Sequence, residues 1–409
     1  MKYIIVLADG MADYPIGSLG NKTPIELAEK PAINSILSKS IMGLVRTVPK
    51  GMIPGSDVAN LSILGYDPLK FYTGRSPIEA VGMGIDINES DLAVRCNLVT
   101  LSEDEYYDKK IMLDFSAGSI ETEEAKELIE FVNKKLGNEF YNFYAGVSYR
   151  HCLLVKNQNA SLCCAPPHDI VDKCIFDYLP KDKTFLELMA KSYELLKAHP
   201  INKEKKAKGL KAANSIWLWG EGKFKPVKSF YEKYKLCGTV VSGVDLVKGI
   251  GIMAGLNIPN IKGATATLNT DYDAKLNVGL DALLNKKEDF LYMHLEAPDE
   301  CAHRGDLTGK ISAIEKIDAL IIKPLIENLG KSKEDFTLLF LPDHPTPVNI
   351  RTHTDDPVPF LLYRSDKNYK QKSTDYSEKS AKESGIYLKE AHTLIDKMLD
   401  SEFMWRYYV

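Results

Sequence analysis

Short apolar runs of strand length alternate along this chain with longer stretches whose apolar residues recur at helical spacing, and that alternation predicts an α/β fold with a largely parallel sheet. The first run is YIIVLA at 3–8, ending on Asp9-Gly10. Further strands are predicted at 215–219, 239–242, 264–268, 290–295, 337–341 and 359–363. Helices are predicted at 24–38 with Thr23 as N-cap, at 310–327 and at 385–399. Between about residues 89 and 205 the rhythm changes, with strands expected at 93–101, 110–115, 142–147 and 151–156 around a helix at 122–136. Residues 1–88 and 206–409 are therefore expected to form one α/β domain, and 89–205 an inserted smaller α/β domain with a mixed or antiparallel sheet. A length of 409 residues, more than one core usually spans, agrees with two domains. The basic run NKEKKAKGLK at 202–211 reads as the return linker, and 365–384 as polar but too mixed in composition for disorder. Trp217 and Trp219 are read as lying on opposite strand faces, one in the core and one toward a cleft.

Composition excludes several classes. The chain is 44% apolar and 26% charged, which suits a folded protein. A net charge of -4 gives no reason to expect nucleic acid or an anionic membrane as partner. No uninterrupted apolar run approaches the roughly 18–20 residues that span a bilayer. The N-terminal run stops at Asp9, too soon for a signal peptide. Seven cysteines, an odd number without a CxxC pair, suit reduced thiols in the cytoplasm. GIGIMAG at 249–255 lacks the GxGxxG spacing of a dinucleotide site and reads as tight helix packing, and there is no P-loop.

Chemistry-bearing residues collect where ligands bind in open α/β sheets, beyond the carboxyl ends of strands. Asp9 follows the first strand, Asp343 and His344 follow 337–341, and Asp299 and His303 follow 290–295. His353 lies just before the strand at 359–363. Three carboxylates and three imidazoles suit Zn²⁺ or Mn²⁺ better than Ca²⁺ or a cysteine-bound structural zinc. Ser56, in PGSDVANLSILGY, precedes an expected helix starting near Val58. A serine hydroxyl there could accept a phosphoryl group at the positive end of the helix dipole. It is a poor nucleophile at neutral pH unless a cation lowers its pKa. Taken singly, each piece has a plainer reading: a turn Asp, an exposed i,i+4 ion pair, a helix cap. The ordered set Asp, Ser, Asp-x-x-x-His, Asp-His, His is far more specific.

That set resembles the alkaline-phosphatase superfamily. Within it, the chain resembles the cofactor-independent (2,3-bisphosphoglycerate-independent) phosphoglycerate mutases, in their shorter archaeal-type branch. The resemblance covers nearly the whole chain. It is carried by DGMAD at 9–13, GNKTPIELA at 20–28, GSDVANLSILGYDP at 55–68, GRSPIEA at 74–80, RCNLVT at 95–100, NSIWLWG at 214–220, VDLVKGIG at 244–251, PDECAH at 298–303, PDHPTP at 342–347 and RTHTDDPVPF at 351–360. It implies an alkaline-phosphatase-like core, with the insert capping the substrate. It implies two divalent ions, Mn²⁺ by family habit with Zn²⁺, Co²⁺ or Fe²⁺ compatible, and no bisphosphoglycerate. Asp9, Ser56, Asp343 and His344 would hold one ion, and Asp299, His303 and His353 the other. Ser56 would carry the phosphate between 3-phosphoglycerate and 2-phosphoglycerate. Arg95, Arg150, His151 and Lys248 are candidates for gripping phosphate and carboxylate; an ion-paired Arg95 and a satisfied sheet histidine at 151 are the plainer readings. The loop DFSAGSI at 114–120 departs from the family pattern, because Phe115, Ser116 and Ser119 stand where arginines are common. The alternative activity is a kinase using the same centre on another small hydroxy acid, such as homoserine.

Overall fold

The computed structural model describes residues 1–157, 162, 164–368 and 373–400; Cys163 and residues 369–372 of the polar segment lie outside the described residues. The described chain forms β1 (Lys2–Ala8), β2 (Ser40–Val45), β3 (Leu92–Leu101), β4 (Met112–Asp114), β5 (Tyr141–Tyr144), β6 (Arg150–Val155), β7 (Ser215–Lys223), β8 (Gly238–Val241), β9 (Phe290–Leu295), β10 (Phe336–Leu341), β11 (Val358–Arg364) and β12 (Tyr387–Leu388). Two compact units result: Met1–Tyr72 with Val227–Val409, and Thr73–Pro226.

The first unit holds a seven-stranded sheet in the order β12-β2-β11-β10-β1-β9-β8. Strands β10, β1, β9 and β8 run parallel, and β11 is antiparallel to both its neighbours. Central β1 is covered on both faces: Ile4, Ile5, Val6, Leu7 and Ala8 are all buried. Ile4, Val6 and Ala8 share one face with Leu291, Met293, Leu338 and Phe340, beneath Ile314, Ile317, Ile321 and Leu325. Each such side chain contributes roughly 1.5–3 kcal/mol on full burial. The strand bodies are thereby committed to the core, and polar chemistry is left to their ends.

The second unit holds an antiparallel five-stranded sheet in which β3 pairs with β4, β6 and β7. The helix at Thr122–Leu136 occurs as expected, its apolar face formed by Ala125, Leu128, Ile129 and Val132. The unit is wider than the expected 89–205. The strand expected at 215–219 joins this sheet as β7 rather than the parallel one. On the other flank, Ala80, Ile85 and Ile87 pack with Ala93, Cys152 and Leu154. Period-two patterning identifies a strand but not the sheet it joins.

Other local expectations shift for identifiable reasons. The helix expected at 24–38 breaks into Pro24–Leu27, capped by Thr23 in a reciprocal box with Glu26, and Pro31–Ser35. Pro31 lacks an amide hydrogen and disfavours helical backbone in the residue before it. Residues 264–268 form an irregular, bent loop, not a strand. The helix expected at 310–327 runs through Leu307–Ile317 and Lys323–Lys331, joined by one π-turn at Asp318–Ile322. Of 385–399, only Leu394–Leu399 is α-helical, and Tyr387–Leu388 adds the edge strand β12. The basic run begins inside a helix, Pro200–Ala207. Trp217 and Trp219 share one core, as residues two apart on a strand must share a face. Gly251 serves close packing, since a Cβ there would lie 2.6 Å from the Ile258 Cδ1. Among the described residues no helix is long and apolar enough to cross a membrane.

Candidate metal centre

Parallel pairing assembles the site. In the β1–β10 register Leu7 faces Leu341, so Asp9 and Asp343 emerge side by side two residues later. Neighbouring β9 runs into the helix Ala297–His303, which places Asp299 in its first turn and His303 in its last. The i,i+4 spacing puts both on one face, with His303 Nε2 3.2 Å from Asp299 Oδ2. Because β11 runs antiparallel to β10, the loop leading into it returns to the same edge and delivers His353. Ser56 is the first residue of the helix Ser56–Ile63, preceded by extended Gly55. All seven residues belong to the first unit.

The side chains converge in two sets. His344 Nε2 lies 3.1 Å from Ser56 Oγ, 3.4 Å from Asp343 Oδ2 and 3.7 Å from Asp9 Oδ1. His353 Nε2 lies 3.0 Å from His303 Nε2 and 3.6 Å from Asp299 Oδ1. Donor atoms also group within 4.8 Å as Asp299, His344 and His353, and as Asp9 and Asp343 with His294, a residue outside the expected ligand set. His344 therefore stands between the sets, its ring centroid 4.0 Å from that of His353. Two ligands on one Zn²⁺- or Mn²⁺-sized ion lie about 3.0–3.4 Å apart, which is the range of the shorter contacts here. Asp9 Oδ1 is buried without a hydrogen-bond partner, as an oxygen reserved for a cation would be. The donor set fits a pair of divalent ions.

Electrostatics point the same way. Asp9, Asp299 and Asp343 are buried together. Burial, with Asp343 and Asp299 nearby, pushes the Asp9 carboxyl well above its ordinary range. Burial opposes ionisation of Asp299 too, but hydrogen bonds from His303 and His353 hold it well below. The Asp299 contact raises His303 to about 9 against its own burial. Burial lowers His344, so its imidazole keeps a lone pair. Carboxylates this close need positive charge among them, supplied by protons or by a cation.

The sequence shares its pattern with known proteins. A family model described as 2,3-bisphosphoglycerate-independent phosphoglycerate mutase matches residues 38–202. The 2,3-bisphosphoglycerate-independent phosphoglycerate mutase of Methanosarcina barkeri is 45% identical over 402 residues, covering 97% of this chain and 98% of the relative. The chain belongs to this mutase family. A probable mutase of the same description from Geobacter sulfurreducens is 43% identical, over 98% of this chain and 100% of the relative. Among solved structures, the PH0037 protein of Pyrococcus horikoshii superposes with a TM-score of 0.80 at 26% identity, covering 99% of this chain and 97% of that one. The cofactor-independent phosphoglycerate mutase of Thermoplasma acidophilum superposes at 0.66 and 25% identity, over 98% of this chain and 99% of that one.

In this mutase-family chain several site residues were given no role by the sequence, although Gly10, Asn60 and Thr346 lie within motifs quoted above. Asn60 donates to Asp343 Oδ2 at 3.1 Å and to the Ser56 carbonyl at 2.8 Å, and receives the Tyr292 hydroxyl at 2.5 Å. Thr346 donates to Asp299 Oδ1 at 2.5 Å. Gly10, at φ +60°, donates its amide to Asp343 Oδ1, and a Cβ there would lie 2.4 Å from Asp299 Oδ1. His294 Nε2 lies 3.2 Å from Asp9 Oδ2. A histidine inside an apolar strand run reads as core, and the fold alone reveals its neighbour.

The candidate substrate residues divide between the units. Lys248, in the first, pairs with Asp245 at 3.1 Å. In the second, Arg95 pairs with Glu79 at 3.0 Å, and its guanidinium stacks 4.1 Å above the Trp219 ring. Arg150 is exposed and faces Asn97 across the β3–β6 ladder, on the same sheet face as Arg95. His151 points the other way and is buried; its Nδ1 accepts the Gly146 amide, and burial lowers it to about 3. In the divergent loop, Asp114 collects the Ser116 and Gly118 amides and the Lys211 ammonium.

Proposed function

We propose that this chain interconverts 3-phosphoglycerate and 2-phosphoglycerate without bisphosphoglycerate, through a phosphoserine at Ser56 in a centre of two divalent ions. The observation that carries the mechanism is the position of Ser56 Oγ, 3.1 Å from His344 Nε2 at the start of a helix. The names of relatives matched over nearly the whole chain support mutase activity over the hydroxy-acid kinase alternative.

When bound, the ions would lower the Ser56 hydroxyl pKa and offset charge on the transferring phosphoryl group. Asp9, Ser56, Asp343 and His344 would hold one, and Asp299, His303 and His353 the other, with Mn²⁺ the family's habitual choice. Ser56 takes the phosphoryl group as its Oγ–P bond forms and the C3 oxygen–P bond breaks, the Ser56 hydroxyl proton ending on the freed C3 oxygen. The glycerate then presents its C2 hydroxyl and the transfer reverses. The positive end of the helix Ser56–Ile63 favours the phosphoserine. Asn60 fixes the Ser56 carbonyl and Asp343 together, which keeps nucleophile and ligand in register. Arg95, Arg150 and Lys248 are the proposed grips on phosphate and carboxylate; His151, enclosed in its sheet, keeps its assignment on resemblance alone. The unpaired thiols Cys96, Cys152 and Cys301 support the cytoplasm as the working compartment.

An enolase-coupled assay with 3-phosphoglycerate, lacking bisphosphoglycerate and ATP, tests the reading. Turnover should vanish after chelation and return with Mn²⁺. Ser56→Ala should lose many orders of magnitude, since covalent nucleophiles act as a unit with their partners. Mass spectrometry of quenched enzyme should place phosphate on Ser56. Full turnover of verified metal-free protein, or near-normal turnover of Ser56→Ala, would overturn it.

A further inference from the structure

Behind Asp9, on the side away from Ser56, lies a line of buried charge that the proposed reaction does not use. His294 Nε2 lies 3.2 Å from Asp9 Oδ2, and His294 Nδ1 lies 3.3 Å from Glu296 Oε1. Glu296 Oε2 receives the Lys275 ammonium at 2.5 Å. The side chains of Lys275 and His294 are fully buried, and that of Glu296 is 2% exposed. Glu296 is saturated: its Oε1 also accepts the Gly243 amide at 2.6 Å and the Ser242 hydroxyl at 3.0 Å. Lys275 has a second acceptor in the Thr265 carbonyl at 3.2 Å. From Lys275 to Asp9 the order is cation, anion, imidazole, anion.

Such a line is a poor way to stabilise a fold. Desolvating each ion costs several kcal/mol, and apolar groups of similar volume often serve as well or better. It does have a chemical end-point. Asp9 Oδ2 faces His294, while Asp9 Oδ1 is buried without a partner and points toward His344. A carboxylate on a short loop after a strand can rotate about χ2, and the 3.2 Å approach of His294 Nε2 to Oδ2, an ion-pair contact without hydrogen-bond geometry, biases that rotation. Outer groups of this kind orient metal ligands and tune their basicity.

We propose that His294, fixed by Glu296 and Lys275, is a positioning residue for Asp9: it holds Oδ2 so that Oδ1 is presented to the ion shared with Ser56, Asp343 and His344. This rests on the two-ion reading above. His294 touches neither substrate nor the proposed reacting atoms. Its effect should fall mainly on one ion of the two, because His294, Glu296 and Lys275 bond to Asp9 and to one another and to none of Asp299, His303 and His353 among the described residues.

The test is titration of the metal-free full chain with Mn²⁺, by calorimetry and by electron paramagnetic resonance, for the wild type, His294→Asn, His294→Gln and Glu296→Gln. The wild type should bind two ions. His294→Asn keeps a polar group near Glu296 but cannot reach Asp9, and should weaken one ion by about 10–100-fold while the other stays within about threefold. His294→Gln places an amide near the Nε2 position and should recover most of that loss. Glu296→Gln, which keeps its shape and its acceptor for Gly243, should fall between them and serves if His294→Asn does not fold. Equal weakening of both ions, or of neither, in the folded variants overturns the inference. If the wild type binds no ion, the two-ion reading itself fails.

Discussion

Lys310 should be among the most consequential residues outside the metal centre. Its side chain is fully buried and its ammonium lies 2.8 Å from Asp13 Oδ2, itself 1% exposed. It also donates to the carbonyls of Thr346 at 2.9 Å and Ala12 at 3.2 Å. Thr346 in turn holds Asp299. Lys310→Met preserves much of the volume but leaves Asp13 buried with, among the described residues, the Val348 and Tyr14 amides as its remaining donors. Removing one partner of a buried pair costs about 3–5 kcal/mol, because the remaining charge is uncompensated. At about 4 kcal/mol the folding constant of the first unit falls by roughly a thousandfold. The double variant Lys310→Met/Asp13→Asn removes both charges and should recover at least half of the loss, as coupled neighbours do. Urea unfolding of metal-free protein, followed by tryptophan-independent circular dichroism, measures both. A loss below about 1 kcal/mol in Lys310→Met, or a double variant no more stable than the single one, would refute the ion-pair account.

Two further outcomes follow from the geometry. Gly10→Ala adds a Cβ 2.4 Å from Asp299 Oδ1 in left-handed backbone, so Asp299 must move; turnover should fall by roughly a hundredfold or more, with weakened Mn²⁺ binding, and unchanged binding would refute this. The Glu378 carboxyl is enclosed although the residue is only partly buried, and burial raises it to about 7 from 4.5 despite hydrogen bonds from Thr23 and Asp13. Its folded pKa lies above its unfolded one, so the stability it allows at low pH is lost as pH rises from about 4.5 through about 7, about 3 kcal/mol in all. Glu378→Gln should therefore gain on the wild type between about pH 5 and pH 8 in denaturant midpoints, and a constant difference across that range counts against the assignment.

How much was legible in the sequence depends on the range of the interaction. Apolar runs such as 3–8, 290–295 and 337–341 determined their own strands, because alternation and burial are local to the run. The spacing of Asp299 and His303 determined that they share a helix face, and the order of candidate ligands along the chain was specific enough to resemble one family. Tertiary structure alone decided which sheet β7 joins, because hydrogen-bonding partners lie far away in sequence. It decided that His294, a lone imidazole in an apolar strand, meets Asp9: adjacent parallel strands put Leu7 opposite His294, and two residues later the chains present their ends together. It also decided that Arg95 and Arg150 share a face while His151 turns inward, since that follows from the β3–β6 register. Residue types and local spacing are written in the chain; which buried charge answers which is settled only when strands far apart in sequence become neighbours.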